Sequence, residues 1–428
     1  MKVLMFGWEF PPHISGGLGT ACYGLTKGLS KIPELDVLFV VPKAFGDEPG
    51  EAVRLIGANQ VPVMQKKIKV QGFVHSMNVM EVGVNIVPYL SHEEYEKSYE
   101  VNVGGSNRYV TTDDKGLLPF TGTYGPNLYQ EIANYSVVAS VLGSEQEFDL
   151  IHAHDWLTYP AGIAAKEASG KPLVVHVHAT DFDRSGGNVN PAVYEIEKQG
   201  MMAADRVITV SNLTRNIVIE KYGIDPSKVF TVYNAVEPIA VKEHLKMDKG
   251  FDEKIVTFLG RVTMQKGPEY FIEVANKVLK RMKNVRFVMA GSGDMLNKMI
   301  ARAAKLKIMD KFHFTGFLTG DDVYRMYYMS DVYVMPSVSE PFGISPLEAM
   351  QSNVPVIISN QSGVAEVLNH AVKVDFWDVD AMADAIYGIL NYPALYQTFS
   401  NFGKNEVEGL KWENSAIRVK EVYDSIFA

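Results

Sequence analysis

Short apolar runs recur along the chain, each ended by glycine, proline or a polar residue. Residues 2–8, 36–41, 148–156, 173–183, 204–211 and 229–232 read as strands of a first sheet. Residues 254–261, 285–290, 313–318, 332–335 and 354–359 read as strands of a second, with 363–366 completing it. Between them the apolar positions fall three and four apart, predicting helices such as 20–31, 124–142, one from Pro268 and a last one over 412–426. Strand and helix alternating in this way predict an α/β protein of two Rossmann-like, doubly wound domains. The charge-dense, aperiodic stretch 237–254 reads as the link between them, dividing the chain into 1–236 and 237–411. The last helix, within 412–428, is expected to cross back onto the first domain. Residues 45–135 are less regular. Strands are expected at 61–70 and 83–89, and the polar segment 91–116 reads as an excursion suited to acceptor recognition.

A chain of 428 residues exceeds one core, which agrees with two domains. Apolar content of 47% and charged content of 21% are those of an ordinary globular protein. The formal charge of −9 argues against a nucleic-acid partner and against a basic membrane-surface helix. No run approaches the ~18 apolar residues of a membrane span, so no integral membrane segment is expected. The opening residues 1–8 are too soon interrupted by Glu9 and Pro11 to form a signal peptide. A single cysteine, Cys22, excludes an intrachain disulfide and suits a cytoplasmic location.

The most informative stretch runs from Asp331 to Met350. Its strand ends at Pro336, and Ser345-Pro346-Leu347-Glu348 then reads as a helix start with Ser345 as N-cap and Glu348 as its capping-box partner. Between them, Gly343 lets a ligand approach the backbone, and the free amides of the new helix favour an anion. Glu340 and Glu348 flank that turn. The plain alternatives are a solvated loop carboxylate for Glu340 and a structural cap for Glu348.

Other segments also carry candidate chemistry. The glycine-rich turn at Gly16-Gly17-Leu18-Gly19 follows the first strand, but it lacks the spacing of a nicotinamide fingerprint. It serves either a ligand or packing. Arg261 and Lys266 lie on the loop at the carboxyl end of the strand that opens at Lys254, where open α/β sheets bind ligands. His152 and His154 share one strand face, as do His176 and His178. With Asp155, Asp181 and Asp183 nearby, these pairs raise a rival reading, one or two metal ions in a metal-dependent hydrolase. Asp181-x-Asp183 also imitates the metal-binding pair of the metal-dependent glycosyltransferase architecture.

Taken together, Gly16-Gly17-Leu18, His154-Asp155-Trp156, His178, Arg261…Lys266-Gly267 and Glu340…Glu348 resemble the retaining two-domain glycosyltransferases of the GT-B fold, whose domains face across a cleft. The glycogen and starch synthases and the family-four enzymes are the most similar. The resemblance spans the chain apart from about residues 45–120. It implies a nucleoside-diphosphate sugar donor, UDP- or ADP-glucose first, and an α-1,4-glucan acceptor such as glycogen or maltodextrin. Another saccharide or a lipid-linked glycan is the alternative acceptor, and a catalytically silent sugar-binding protein on the same fold is a third class.

The resemblance places Arg261 and Lys266 on the donor diphosphate, in place of a metal, so that no cofactor is needed. It places Glu340 against the hexose hydroxyls, Glu348 on the ribose hydroxyls and the backbone of Gly343, Ile344 and Ser345 on sugar or phosphate. Gly17, Gly291 and Phe317 join the donor set, while Gly16, Gly17 and Trp156 border the acceptor. His178 is expected to bond the donor sugar with Asp155 in support, and no protein nucleophile is expected. Two departures from the bacterial ADP-glucose synthases, Ile14-Ser15 at the first loop and the presence of Glu348, move the chain toward archaeal synthases and family-four enzymes.

Overall fold

A computed structural model of the protein describes residues 1–13, 16–49, 53–63, 115–238, 245 and 249–428. The strands expected at 61–70 and 83–89 and the excursion at 91–116 fall largely outside the described residues, as do Ile14 and Ser15. The described part of the first of these, 61–63, is not a strand.

The first sheet is built from β1 (Lys2–Phe6), β2 (Asp36–Val41), β3 (Arg54–Gly57), β4 (Leu150–His154), β5 (Leu173–Val177), β6 (Arg206–Thr209) and β7 (Val229–Thr231). All are parallel, in the order β3-β2-β1-β4-β5-β6-β7. The second holds β8 (Lys254–Leu259), β9 (Val285–Ala290), β10 (Phe312–Gly316), β11 (Val332–Met335), β12 (Val356–Ser359) and β13 (Val372–Val374). It is also parallel, in the order β10-β9-β8-β11-β12-β13. Both faces of each sheet are covered by helices, which is why the inner strands are buried almost throughout rather than on alternate residues. The chain reverses its direction of growth between β1 and β4 in one sheet and between β8 and β11 in the other. A crevice opens at such a switch point, outside the carboxyl ends of the strands.

Three expectations are corrected. The edge strand Arg54–Gly57 was not foreseen; it is short and mostly half-exposed, so it carries little apolar signal. Residues 363–366 form a helical turn, not a strand, because Gly363 and Val364 donate their amides to the carbonyls of Glu340 and Phe342. The sheet edge is taken by β13 instead. Finally, the helix Ser345–Gln351 starts from Ile344, and no side chain caps it. Ser345 is already helical, so the expected capping box does not form.

The chain leaves the first sheet through residues 232–237 and returns at 409–412. The two crossings run side by side, with the Val236 amide donating to the Leu410 carbonyl at 3.3 Å and the Ser415 hydroxyl donating to Tyr233 O at 2.7 Å. The C-terminal helix Trp412–Phe427 then packs on the first domain, as expected. Its Trp412, Ala416, Val419 and Tyr423 join the core beneath β1, β2 and the helix Gly17–Leu29. Glycines make the contact close: a methyl group on Gly24 would lie 2.2 Å from the Trp412 ring, and one on Gly28 2.6 Å from its carbonyl. Trp412→Ala should lower the unfolding free energy by about 3–5 kcal/mol, the usual cost of removing a buried tryptophan. Chemical denaturation measures this, and a change below about 1 kcal/mol would show that the crossing helix is not anchored there.

Candidate active site

The carboxyl ends of the two sheets face each other across a cleft of 720 Å³. All of the predicted site residues line it: Gly16, Gly17, Asp155, Trp156 and His178 from the first domain, and Arg261, Lys266, Gly291, Phe317, Glu340, Gly343, Ile344, Ser345 and Glu348 from the second. Sequence reasoning missed other lining residues, among them Glu9, Tyr124, Arg184, Gln265 and Tyr324. Arg184 carried a usable signal, lying one residue beyond the Asp181-x-Asp183 pair.

On the first domain, Gly16 is extended and Gly17 opens the helix Gly17–Leu29, with no side chain capping the helix end. A side chain added at either glycine would meet nothing within 4 Å. Packing and positive φ therefore do not explain these two residues; what they leave is open space before free helix amides, where an anion is favoured.

Asp155 follows β4 with φ of 61°, a conformation uncommon outside glycine. Its Oδ1 accepts from the amides of His178 at 2.7 Å and Ala179 at 3.3 Å, and Arg184 lies 3.6 Å from Oδ2. The Asp155 carboxylate thus holds the loop after β5 and sets the position of His178. Arg184 is held in turn by Glu197 at 3.0 Å and by the Ala179 carbonyl at 3.0 Å. Burial pushes the Glu197 carboxyl up to about 7, against the opposing pull of Arg184. His178 shares a hydrogen bond of 2.9 Å between its Nε2 and Nδ1 of His154. Burial lowers the His178 pKa, with Asp155 opposing, so the ring is neutral at pH 7.

On the second domain, the loops after β8 and β11 are packed together by glycine. Gly267 sits at φ of 66°, and a methyl group there would lie 2.0 Å from the Pro336 carbonyl. The Val338 amide donates to Gln265 O at 2.9 Å across the same junction. This close approach joins Lys266 to Glu340 in an ion pair, with Ser337 donating to the same carboxylate oxygen at 3.2 Å. Arg261 reaches Gln265 at 3.4 Å and lies on the same cleft wall. Beyond Glu340 the chain turns at Gly343, with φ of 101°, and enters the uncapped helix at Ser345. Tyr333 donates its hydroxyl to Ser345 Oγ at 3.0 Å.

Glu348 accepts from the Tyr327 hydroxyl at 3.1 Å rather than from the helix end, so its structural reading as a cap partner fails. Phe317 is 60% exposed although it lies in the cleft.

The four histidines converge, but the carboxylates of the rival hydrolase reading do not join them. Asp183 closes a capping box with Thr180 and accepts from Ser339 of the second domain at 2.5 Å. Asp181 accepts from the Asn190 amide at 2.6 Å. Among the described residues, three groups have donor atoms within 4.8 Å of one another, and none includes Asp155, Asp181 or Asp183.

Burial raises the Glu348 carboxyl above its ordinary value, while the Tyr327 hydroxyl opposes the shift. The folded chain therefore binds this proton more tightly than the unfolded chain. Stability is lost as pH rises from the ordinary glutamate range through the raised value. Glu348→Gln abolishes that loss, so the variant should gain on the wild type across this window and hold its gain above it. Denaturation midpoints at a series of pH values test this; a pH-independent difference would remove burial of the charge as the cause.

Comparison with known proteins agrees with this architecture. Residues 242–406 match the family described as Glycosyl transferases group 1, and residues 97–238 match Glycosyltransferase Family 4. An uncharacterised glycosyltransferase of Methanocaldococcus jannaschii is 30% identical over 99% of this chain and 98% of its own. The glycogen synthase of Mycobacterium tuberculosis is 22% identical over 99% of this chain and 94% of its own. The structure of sucrose-phosphate synthase from Thermosynechococcus elongatus covers 100% of this chain and 99% of its own, with a TM-score of 0.71 and 18% identity, a likeness of fold. Two sheets facing across a glutamate- and cation-lined cleft, both family matches and the full-length relative together place this chain among the two-domain glycosyltransferases of the GT-B fold.

Proposed function

We propose that the enzyme is a retaining hexosyltransferase that moves glucose from UDP- or ADP-glucose to the end of an α-1,4-glucan. The observation that carries this reading is the cleft wall where Arg261 and the Lys266–Glu340 pair lie beside the turn at Gly343. Transfer of a hexose leaves negative charge on the departing diphosphate. Arg261 offers it a planar fork of donors and Lys266 a point charge. The amides after Gly343 add the positive end of a helix. These groups take the place of a metal ion, and transfer needs none at the diphosphate.

Glu340 faces the hexose hydroxyls and offsets the positive charge that develops at the anomeric carbon. Glu348 accepts from the ribose hydroxyls, and Phe317 and Gly291 line the nucleotide side. On the opposite wall His178, neutral and oriented by Asp155, hydrogen-bonds the sugar. Gly16, Gly17 and Trp156 leave room for the acceptor end. Retention follows from attack on the face the diphosphate leaves, with no protein nucleophile. The acceptor assignment draws its support from the full-length similarity to a glycogen synthase, and a different saccharide or a lipid-linked glycan is the second reading. Among the described residues no helix is long and apolar enough to cross a membrane. Work in the cytoplasm suits the single, buried Cys22.

Nucleotide release from UDP-, ADP- and GDP-sugars, with and without glycogen and in EDTA, tests the reading. Release from UDP- or ADP-glucose that depends on glycogen is the expected result. Release indifferent to glycogen would retain the transferase and discard the glucan. Activity lost in EDTA and restored by a metal would overturn the metal-free mechanism. Arg261→Ala should lower kcat/KM for the donor by about 10²–10³-fold, the usual loss for one donor to a developing anion.

A further inference from the structure

Behind His178, on the side away from the cleft, β4 and β5 bring three imidazoles together. His152 and His154 lie on one face of β4, and His176 pairs in register with His154, so all three project from the same face of the sheet. The rings of His152 and His154 are 4.3 Å apart, those of His154 and His176 5.2 Å, and those of His152 and His176 5.4 Å. Exposure is 0% for His152 and His154 and 2% for His176.

Hydrogen bonding at this cluster is incomplete in a specific way. His152 uses Nδ1 with the Tyr423 hydroxyl at 2.6 Å, and His154 uses Nδ1 with His178 at 2.9 Å. Among the described residues, the opposite nitrogens, Nε2 of both rings, have no hydrogen-bond partner, and neither does either nitrogen of His176. A buried polar atom left unpaired carries its full desolvation penalty, and four at one point in a core call for an explanation. His152 and His154 show the pattern of metal-binding histidines, in which one ring nitrogen is fixed by an outer hydrogen bond and the other is left to the ion.

We propose that His152, His154 and His176 form a binding site for a zinc-class divalent transition-metal ion, with the Cys22 thiol beside it. Donor atoms of the three histidines lie within 4.8 Å of one another, and Cys22 groups with His154 and His178 within the same limit. The set is all nitrogen and sulfur. Magnesium and calcium prefer oxygen, whereas imidazole and thiolate suit zinc and its neighbours. Burial keeps these imidazoles in the neutral form that binds a metal, pushing His152 down to about 3. The buried Cys22 thiol, held protonated in the chain alone, loses its proton on ligation.

The ion stands apart from the transfer chemistry, as a resident of the core. Through Tyr423 it ties the C-terminal helix to the sheet, and through His154 it backs the cleft floor at His178. A buried ion also exchanges slowly, so turnover in EDTA and a resident metal are compatible, and metal content reports on this site whatever the donor proves to be.

The test is made on the full chain, produced in zinc-limited medium supplemented with either Zn²⁺ or Co²⁺ and passed through EDTA. Elemental analysis should find about one ion per chain. The Co²⁺ form should show the visible absorption of a low-symmetry four-coordinate site. His176→Gln and His152→Gln, each checked for native circular dichroism, should lose the ion, while His13→Ala, in the exposed His13–Asp47–Glu48 group, should keep it. Wild-type protein with background metal and no Co²⁺ absorption would overturn the proposal and leave the imidazoles to buried water. So would folded His176→Gln and His152→Gln variants that retain the full metal content, or loss of the ion with His13→Ala.

Discussion

The cleft depends on how the chain passes between the two sheets. It crosses once through residues 232–237 and returns at 409–412, and the two crossings are hydrogen-bonded side by side. Because the return ends in Trp412, wedged against Gly24 and Gly28, the second domain is tethered to the first by an anchored helix as well as by its linker. At the near edge Glu366 accepts from the amides of Asn212 and Leu213 at 2.9 and 2.8 Å, closing one domain against the other. Each sheet alone offers half a crevice at its switch point. Held face to face, the halves enclose one site lined by both domains.

Electrostatics divides the labour between those walls. The first domain offers open glycine backbone and a neutral imidazole, whose position is set by Asp155 and, through Arg184, by the buried Glu197. The second concentrates charge. Joining Lys266 to Glu340 in a cleft is costly in desolvation unless further hydrogen bonds complete the pair, and Ser337 provides one. In the proposed transfer, a donor entering this wall brings a diphosphate for the cation and a hexose for the carboxylate, so each partner exchanges an internal contact for one made to substrate. Preorganisation of this kind stabilises the charge that develops on the diphosphate as the bond breaks.

Much of this was legible in the sequence because the inner strands are buried on both faces. The runs at 36–41, 285–290 and 332–335 coincide with strands of the structure, since apolar content there needs no tertiary context. Candidate site residues were legible for a related reason, as they follow strand ends where a parallel sheet exposes its loops. What the sequence concealed lay in long-range pairing. Period two put His152 with His154 and His176 with His178, but only the register His154↔His176 joins the pairs. Asp181 and Asp183 looked like partners to those histidines until Thr180 began a helix that turned both away. Ser345 looked like a cap, yet Tyr333 draws its hydroxyl, and Tyr327 draws Glu348, from strand and helix neighbours distant in sequence.

Whether the cation wall acts on the departing diphosphate is read from the kinetics of Lys266→Met on a folded, monodisperse protein. With donor saturating, kcat should fall by about 10²–10³-fold while the KM for donor changes far less, because the charge is largest in the transition state. A variant with wild-type kcat and only a raised KM would contradict it, leaving Lys266 as a binding residue and the cleft without its leaving-group stabiliser.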